Sequence, residues 1–253
     1  MPSLYHIDMA SKPSLVFFGS DEFAQIVLKK VSDTFLVVDK PPADLGVVAS
    51  YGKIIPKKVI QSFPHGILNV HPSLLPKYRG PSPIQTAILN GDAETGVTIM
   101  KMDEQIDHGP ILVQKKVPMT SYFAYGKLEV ILAEAGAELL TKIIPDYIAG
   151  KIELKPQDHS RATYTKMLTR DDGKVDLEKD APEQIYNKFR AYEGWPGVFM
   201  YHVSRNTKQK IRVKILNCKL IDGKLEITQV QPEGRKIMSL KEFENGHGKL
   251  QNS

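Results

Sequence analysis

The sequence lacks the features that stabilise secreted, zinc-bound or membrane-anchored proteins. Only one of its 253 residues, Cys218, is a cysteine, which excludes a disulfide framework and a thiolate zinc cluster. No apolar run approaches the ~20 residues that a membrane helix needs. The first residues also lack the basic and then apolar order of a signal peptide. We therefore expect a cytoplasmic protein that makes no membrane contact.

Several familiar catalytic patterns are missing as well. We find no Gly-x-Gly-x-x-Gly or Walker pattern for a nucleotide and no serine or cysteine elbow for a covalent acyl-enzyme. The spacings of His65, His71 and His108 fit no common metal-ligand pattern, so no metal is expected. Hydrophobic residues make up 42% and charged residues 25% of the chain, and the formal charge is +5. These values are ordinary for a globular protein and compatible with a polyanionic partner.

The first two thirds of the chain alternate between short apolar runs and helical patterns. The apolar runs predict five buried strands, at residues 15–18, 35–38, 45–49, 67–70 and 97–100. Helices are predicted at 22–31 (capped by Asp21), 57–63, 83–90 and 127–149. Strands that are apolar throughout and alternate with helices indicate a mostly parallel sheet with helices on both faces, which is a Rossmann-like α/β fold.

The last third has a different pattern. Alternation with a period of two over residues 210–215, followed by the turn Asp222-Gly223, predicts a β-hairpin. We therefore predict a catalytic domain at 1–165, a linker at 166–180 and a small β-barrel-like (OB-like) domain at 181–253. Lys208, Lys210, Arg212 and Lys214 form a basic strip in this domain. The strip fits either a nucleic-acid backbone or the solvated face of an edge strand.

Three polar side chains could carry chemistry. Asn69 and His71 stand two residues apart at the end of a predicted strand, so both point to the same side. Asp107 lies in the loop after the next strand. An amide and an imidazole that stabilise an oxyanion, with a carboxylate that supports proton transfer, suit acyl transfer to an amine. A purely structural histidine is the alternative.

The chain resembles the formyltransferase family that uses 10-formyltetrahydrofolate. The resemblance rests on residues 69–80 (NVHPSLLPKYRG), 91–100 and 102–112, and on 16–24 and 49–56. Further motifs at 162–164, 190–199 and 229–238 resemble family members that formylate methionyl initiator tRNA. The resemblance implies an enzyme in which Asn69, His71 and Asp107 are catalytic and 10-formyltetrahydrofolate is the co-substrate. A monomer is expected.

The same resemblance implies binding roles for other residues. The folate is expected to contact Ser73, Leu74, Leu75 and Pro76, with the pterin lined by Tyr51, Lys53, Ile54, Ile55 and Val59. The latter set also fits plain core packing. The methionyl-tRNA is expected to contact Arg79 and the basic strip of Lys208, Lys210, Arg212 and Lys214.

Two departures from the family pattern keep alternatives open. The family has several tens more residues between Asp39 and Leu45, including a basic loop implied in gripping the tRNA, and further strands between Lys219 and Gln229. One alternative is formyl transfer to a small amine, such as an amino sugar nucleotide or glycinamide ribonucleotide. Another is a reduced, non-catalytic protein that binds tRNA or folate.

Overall fold

The computed structural model describes residues 12–120, 123–205 and 208–251. The chain divides into two compact units. The first comprises residues 1–83, 93–120 and 127–166, and the second 84–92, 121–126 and 167–253. The second unit thus takes in two segments from the predicted catalytic domain and most of the predicted linker, whose Val175 is buried in its core. The functional domain boundaries themselves stay a prediction.

The first unit is built on a six-stranded sheet of order β2-β1-β3-β4-β5-β6. Its strands are β1 (Ser14–Phe18), β2 (Leu36–Val38), β3 (Leu45–Val48), β4 (Ile67–His71), β5 (Glu94–Lys101) and β6 (Ile111–Pro118). The first four run parallel, whereas β5 and β6 are antiparallel to their neighbours. The mostly parallel α/β sheet is confirmed. Strand β6 was not predicted.

Helices α1 (Glu22–Ser32), α2 (Lys57–Ile60) and all but the first two residues of α4 (Tyr125–Ile148) belong to the first unit, whereas α3 (Pro83–Leu89) lies in the second unit except for Pro83. Helix α1 begins as predicted, because the Asp21 carboxylate accepts a hydrogen bond from the Ala24 N–H at 2.9 Å. Helix α4 buries a continuous apolar stripe that includes Leu128, Leu132 and Leu140, and it continues through Pro145. Helix α2 is a single turn, shorter than the predicted 57–63.

The connection from β2 to β3 is unusually short. Both strands pair in parallel with β1, on its two sides, so residues 39–44 must cross β1. Such parallel crossovers ordinarily need about a dozen residues or more. The end of the link is fixed by Asp44, whose carboxylate accepts hydrogen bonds from the Ser14 N–H at 2.8 Å and the Ser14 hydroxyl at 2.7 Å. These bonds lower the pKa of Asp44 below its ordinary value.

The second unit contains a four-stranded antiparallel sheet of order β10-β9-β8-β7. Its strands are β7 (Val198–Val203), β8 (Lys210–Ile221), β9 (Lys224–Pro232) and β10 (Met238–Ser239), and helices α5 (Pro182–Ala191) and α6 (Leu240–His247) pack on it. The antiparallel β domain and its hairpin at Asp222-Gly223 are confirmed. A parallel bridge from Lys174 to Phe199 lies beside β7, on the side away from β8.

The single cysteine is part of this second core. Cys218 is 4% exposed among Val213, Ile215, Val230 and Phe243. Burial raises the pKa of its thiol to about 12, so the sulfur is protonated at neutral pH and cannot act as a nucleophile. This fits the absence of a cysteine elbow in the sequence.

Candidate active site and nucleic-acid surface

Asn69 and His71 lie on the central strand β4, where all five residues are buried. Because side chains alternate along a strand, both project from the same side of the sheet. The Asn69 Nδ2 atom donates a hydrogen bond to Oδ1 of Asp107 at 3.2 Å. The His71 Nδ1 atom lies 3.6 Å from the same oxygen. The structure therefore brings together the amide, the imidazole and the carboxylate that the sequence analysis singled out.

The His71 ring has a defined proton on its second nitrogen. Nε2 lies 2.9 Å from the carbonyl oxygen of Tyr78, and a carbonyl can only accept, so Nε2 carries a hydrogen. With Nε2 occupied, Nδ1 is the nitrogen that faces Asp107. At 3.6 Å this contact is too long for a direct hydrogen bond. The imidazole and the carboxylate therefore face each other without a direct hydrogen bond between them.

Asp107 is held in an uncommon backbone conformation. Its φ is 48°, in the left-handed region that residues with a side chain rarely adopt. Its Oδ2 accepts a hydrogen bond from the Gly80 N–H at 2.7 Å. Since Asn69 on β4 donates to Oδ1, both carboxylate oxygens accept hydrogen bonds, one from β4 and one from the loop that follows it. This fixes the direction of the carboxylate.

Asp107 reaches the site by a route that the sequence analysis did not foresee. The prediction placed it in the loop after the strand that follows β4, without giving the direction of that strand. Strand β5 is antiparallel, however, and Lys101 at its end pairs with Leu68 near the start of β4. The loop 102–110 must therefore carry Asp107 back. The loop is closed by the Lys101 N–H donating to the Pro110 carbonyl at 2.9 Å and by Gly109, where a Cβ would lie only 1.9 Å from the Lys101 oxygen.

The loop 72–82 after β4 is anchored on both sides. The Ser73 hydroxyl donates to the Lys77 carbonyl at 2.5 Å, and Thr98 Oγ1 donates to the Ser73 carbonyl at 2.6 Å. Gly80, at φ 105°, packs against the Thr165 backbone so closely that a Cβ would meet its oxygen at 3.0 Å. Leu74, Leu75 and Pro76, predicted to contact folate, lie within this loop. Ser73 and Leu75 are buried, whereas Leu74 and Pro76 are partly exposed.

The predicted pterin-lining set splits into two groups. Tyr51, Ile55 and Val59 belong to an apolar cluster with Phe63 and Val48, so their packing role is visible directly. Lys53 and Ile54 are exposed, Ile54 to 89%. The loop that carries them is tied to the Asp107 loop by the ion pair of Lys57 and Glu104.

The prediction that Arg79 contacts tRNA is corrected by its burial. Its side chain is 1% exposed. The guanidinium donates to Gln157 Oε1, His159 Nδ1 and Tyr164 Oη. A side chain enclosed in this way cannot meet a phosphate at the surface. The three partners lie 78 to 85 residues away in the chain, in a polar segment whose one signal in the sequence was the motif at 162–164.

The basic strip lies on one face of strand β8, in the second unit. Lys210, Arg212 and Lys214 alternate with the inward Val213 and Ile215, while Lys208 precedes the strand at φ 58°. Tyr201 pairs with Arg212 across the strands, and the Lys210 ammonium lies 5.0 Å from the Tyr201 ring centre. Among the described residues, no carboxylate lies within 4.0 Å of these cations as an ion-pair partner.

The structure thus combines an α/β fold with an amide–imidazole–carboxylate cluster, and comparison with known proteins supplies the family. A model described as formyl transferase matches residues 12–144, and one described as formyl transferase, C-terminal domain, matches residues 167–222. The chain belongs to the formyl transferase family.

Its curated relatives include two bacterial methionyl-tRNA formyltransferases. The protein of Roseiflexus sp. (strain RS-1) is 52% identical over 154 residues, which are 61% of this chain and 47% of that protein. The protein of Thermotoga maritima is 39% identical over 241 residues, which cover 86% of this chain and 74% of that protein. The chain thus spans about half the length of several relatives that it matches.

Solved structures confirm the fold. HypX from Aquifex aeolicus, in complex with tetrahydrofolic acid, matches with a TM-score of 0.72 at 17% identity, over 95% of this chain and 49% of that one. Methionyl-tRNA formyltransferase from Clostridium thermocellum matches with a TM-score of 0.65 at 17% identity, over 87% of this chain and 98% of that one.

The described residues contain no group of three or more His, Cys, Asp or Glu side chains that could hold a metal ion. None of their helices is long and apolar enough to cross a membrane.

Proposed function

We propose that the protein transfers the formyl group of 10-formyltetrahydrofolate to the α-amino group of methionyl initiator tRNA. The observation that carries the proposal is the convergence of Asn69 Nδ2 and His71 Nδ1 on one oxygen of Asp107, at 3.2 and 3.6 Å. The names of the relatives at 39% and 52% identity support this substrate pair. The tetrahydrofolate complex of HypX supports the folate.

The proposed reaction is a direct transfer. The amine nitrogen attacks the formyl carbon and forms a tetrahedral intermediate, whose oxyanion accepts hydrogen bonds from Asn69 Nδ2 and His71 Nδ1. Asp107 stabilises the imidazolium and assists removal of the proton that the amine loses. The bond from carbon to the folate nitrogen then breaks, and that nitrogen takes up a proton. No covalent enzyme intermediate is needed, in keeping with the buried, protonated Cys218.

We further propose a division of labour between the two units. The first unit holds the catalytic trio and the folate, bounded by Ser73–Pro76 and by the Tyr51–Val59 segment. The second unit holds the tRNA backbone through Lys210, Arg212 and Lys214, with Lys208 beside them. Cations on a strand beside Tyr201 suit a nucleic-acid backbone with salt-sensitive affinity. A cytoplasmic, monomeric protein is the form that we propose.

The test is an acceptor comparison with 10-formyltetrahydrofolate as donor. We expect formyl transfer to methionyl initiator tRNA, and none at a comparable rate to an amino sugar nucleotide or glycinamide ribonucleotide. Preferential transfer to a small amine would contradict methionyl-tRNA as the acceptor and would support the alternative of a formyltransferase that acts on small amines. Folate binding without transfer to any acceptor would support the non-catalytic alternative.

A further inference from the structure

Gln157 is a buried side chain that joins Arg79 to the loop carrying Asp107. It is 6% exposed. Its Oε1 accepts hydrogen bonds from Arg79 Nη2 at 2.7 Å and Nε at 3.2 Å. Its Nε2 donates to the carbonyl oxygens of Asp107 at 2.9 Å and Gly109 at 2.7 Å. Every polar group of the amide is therefore used, and two of its bonds hold the loop on both sides of His108.

The orientation of this amide is fixed by its neighbours. A guanidinium can only donate and a backbone carbonyl can only accept, so Oε1 must face Arg79 and Nε2 must face the loop. Among the described residues, the hydrogen-bond partners of the Arg79 guanidinium are Gln157, His159 and Tyr164, none of which is a carboxylate. Its charge polarises the amide, and a polarised amide is a stronger donor on its other side. Arg79 thus strengthens the grip of Gln157 on the loop.

The loop needs such a restraint at Asp107. The φ of 48° is unfavourable for a residue with a side chain, and loop 102–110 is not part of the sheet. The Asp107 carboxylate nevertheless has to face Gly80 and Asn69 together. The Gln157 segment is itself anchored, because Lys155 and Ile111 exchange backbone hydrogen bonds of 2.9 and 2.8 Å. Gln157 is therefore a rigid support for a strained catalytic residue.

We propose that Gln157, oriented by Arg79, is a positioning residue that holds Asp107 in its catalytic conformation. The inference rests on the proposed function, and it assigns Arg79 to the interior of the site. It predicts that the two halves of the network can be separated by one substitution. Gln157→Glu keeps an oxygen acceptor for Arg79 but has no N–H for the carbonyls of Asp107 and Gly109.

The decisive measurement is the steady-state kinetics of the full-length Gln157→Glu protein. A catalytic group displaced by about 1 Å loses up to about 100-fold in rate, so we expect kcat to fall by about 10- to 100-fold. The KM values for folate and methionyl-tRNA and the thermal midpoint should stay near those of wild type. Tyr164→Phe is the matched control, because it removes another Arg79 partner without touching the loop, and its kcat should be near wild type.

A double-mutant cycle separates positioning from general damage. If Gln157 acts through Asp107, Gln157→Glu lowers kcat in the wild type but adds little in an Asp107→Asn background. Unchanged kcat in Gln157→Glu, or fully additive losses, would overturn the inference. If the Glu variant does not fold, Gln157→Met, of similar volume, is measured in the same cycle.

Hydrogen exchange of the amides in residues 103–110 distinguishes failure of this inference from failure of the proposed function. Faster exchange in Gln157→Glu than in Tyr164→Phe supports the positioning role even if wild-type protein transfers no formyl group. A wild-type protein that transfers no formyl group would overturn only the proposed function. Equal exchange in the two variants would overturn the positioning role.

Discussion

Replacing Asp107 with asparagine changes the charge of the catalytic cluster while keeping its shape. The amide oxygen of the new side chain can still accept from the Gly80 N–H, which Oδ2 now does at 2.7 Å. Its NH₂ group then takes the place of Oδ1. That group faces Asn69 Nδ2, which lies 3.2 Å from Oδ1 in the wild type, so two donors meet. The His71 imidazolium also loses the carboxylate opposite Nδ1.

The expected loss follows from the two interactions that this change removes. Asn69 loses the acceptor that orients it, and His71 loses the carboxylate that faces its Nδ1 atom. Loss of one oxyanion donor costs about 3–4 kcal/mol in the transition state. At 1.36 kcal/mol per factor of ten, kcat should fall by about 100- to 1,000-fold. The KM for methionyl-tRNA should change little, because the proposed backbone contacts lie in the second unit.

The assay is steady-state formyl transfer at saturating folate, with the thermal midpoint measured on the same preparation. Asp103→Asn is the matched control. It makes the same substitution in the same loop, but its carboxylate contacts His108 Nδ1 at 2.6 Å rather than the trio. Asp103→Asn should keep turnover near wild type. An Asp107→Asn protein that remains folded and turns over within tenfold of wild type would remove the carboxylate from the mechanism.

Three further predictions follow from single contacts. Asn69→Ala and His71→Ala should each lose at least about 100-fold in kcat while staying folded, and near-normal turnover by either would remove it from oxyanion stabilisation. Arg212→Ala should reduce the slope of log K against log salt for tRNA binding by about 0.7–0.9, whereas Lys116→Ala in the first unit should leave that slope unchanged. Equal slopes for the two variants would contradict the proposal that the basic strip binds tRNA. Asp44→Asn should lower the free energy of unfolding by about 1 kcal/mol at pH 7. Because the folded pKa of Asp44 is lowered, this difference should vanish as pH falls through that pKa, and a difference that persists in acid would contradict the hydrogen-bond account.

Local patterns predicted most of the regular structure. Four apolar runs lie within or beside β1 to β4, and the Asp21 cap marks the start of α1. Strand β6 was not predicted because only its ends are apolar. Its middle consists of Gln114, Lys115 and Lys116, of which both lysines are exposed. A strand whose centre is polar has no apolar run to detect.

Long-range contacts account for what the sequence could not give. The alternation rule placed Asn69 and His71 on one side because that relation is local. Asp107 is brought beside Asn69 and His71 by the return of loop 102–110, a contact between distant residues that spacing along the chain could not predict. The burial of Arg79 depends on Gln157, His159 and Tyr164, about eighty residues away. A charged residue in a polar loop is ordinarily exposed, so only the folded structure reveals its role.

The short link between β2 and β3 bears on substrate choice rather than on catalysis. It crosses β1 at one edge of the sheet, whereas the trio and Gln157 depend on β4, β5 and loop 102–110. The short link at that edge therefore leaves the contacts of the trio in place. The absent segment is the one that the resemblance implies in gripping tRNA, so we expect full turnover but weak discrimination. The ratio of kcat/KM for initiator and elongator methionyl-tRNA measures this, and strong discrimination would require that other residues of this chain recognise the acceptor stem.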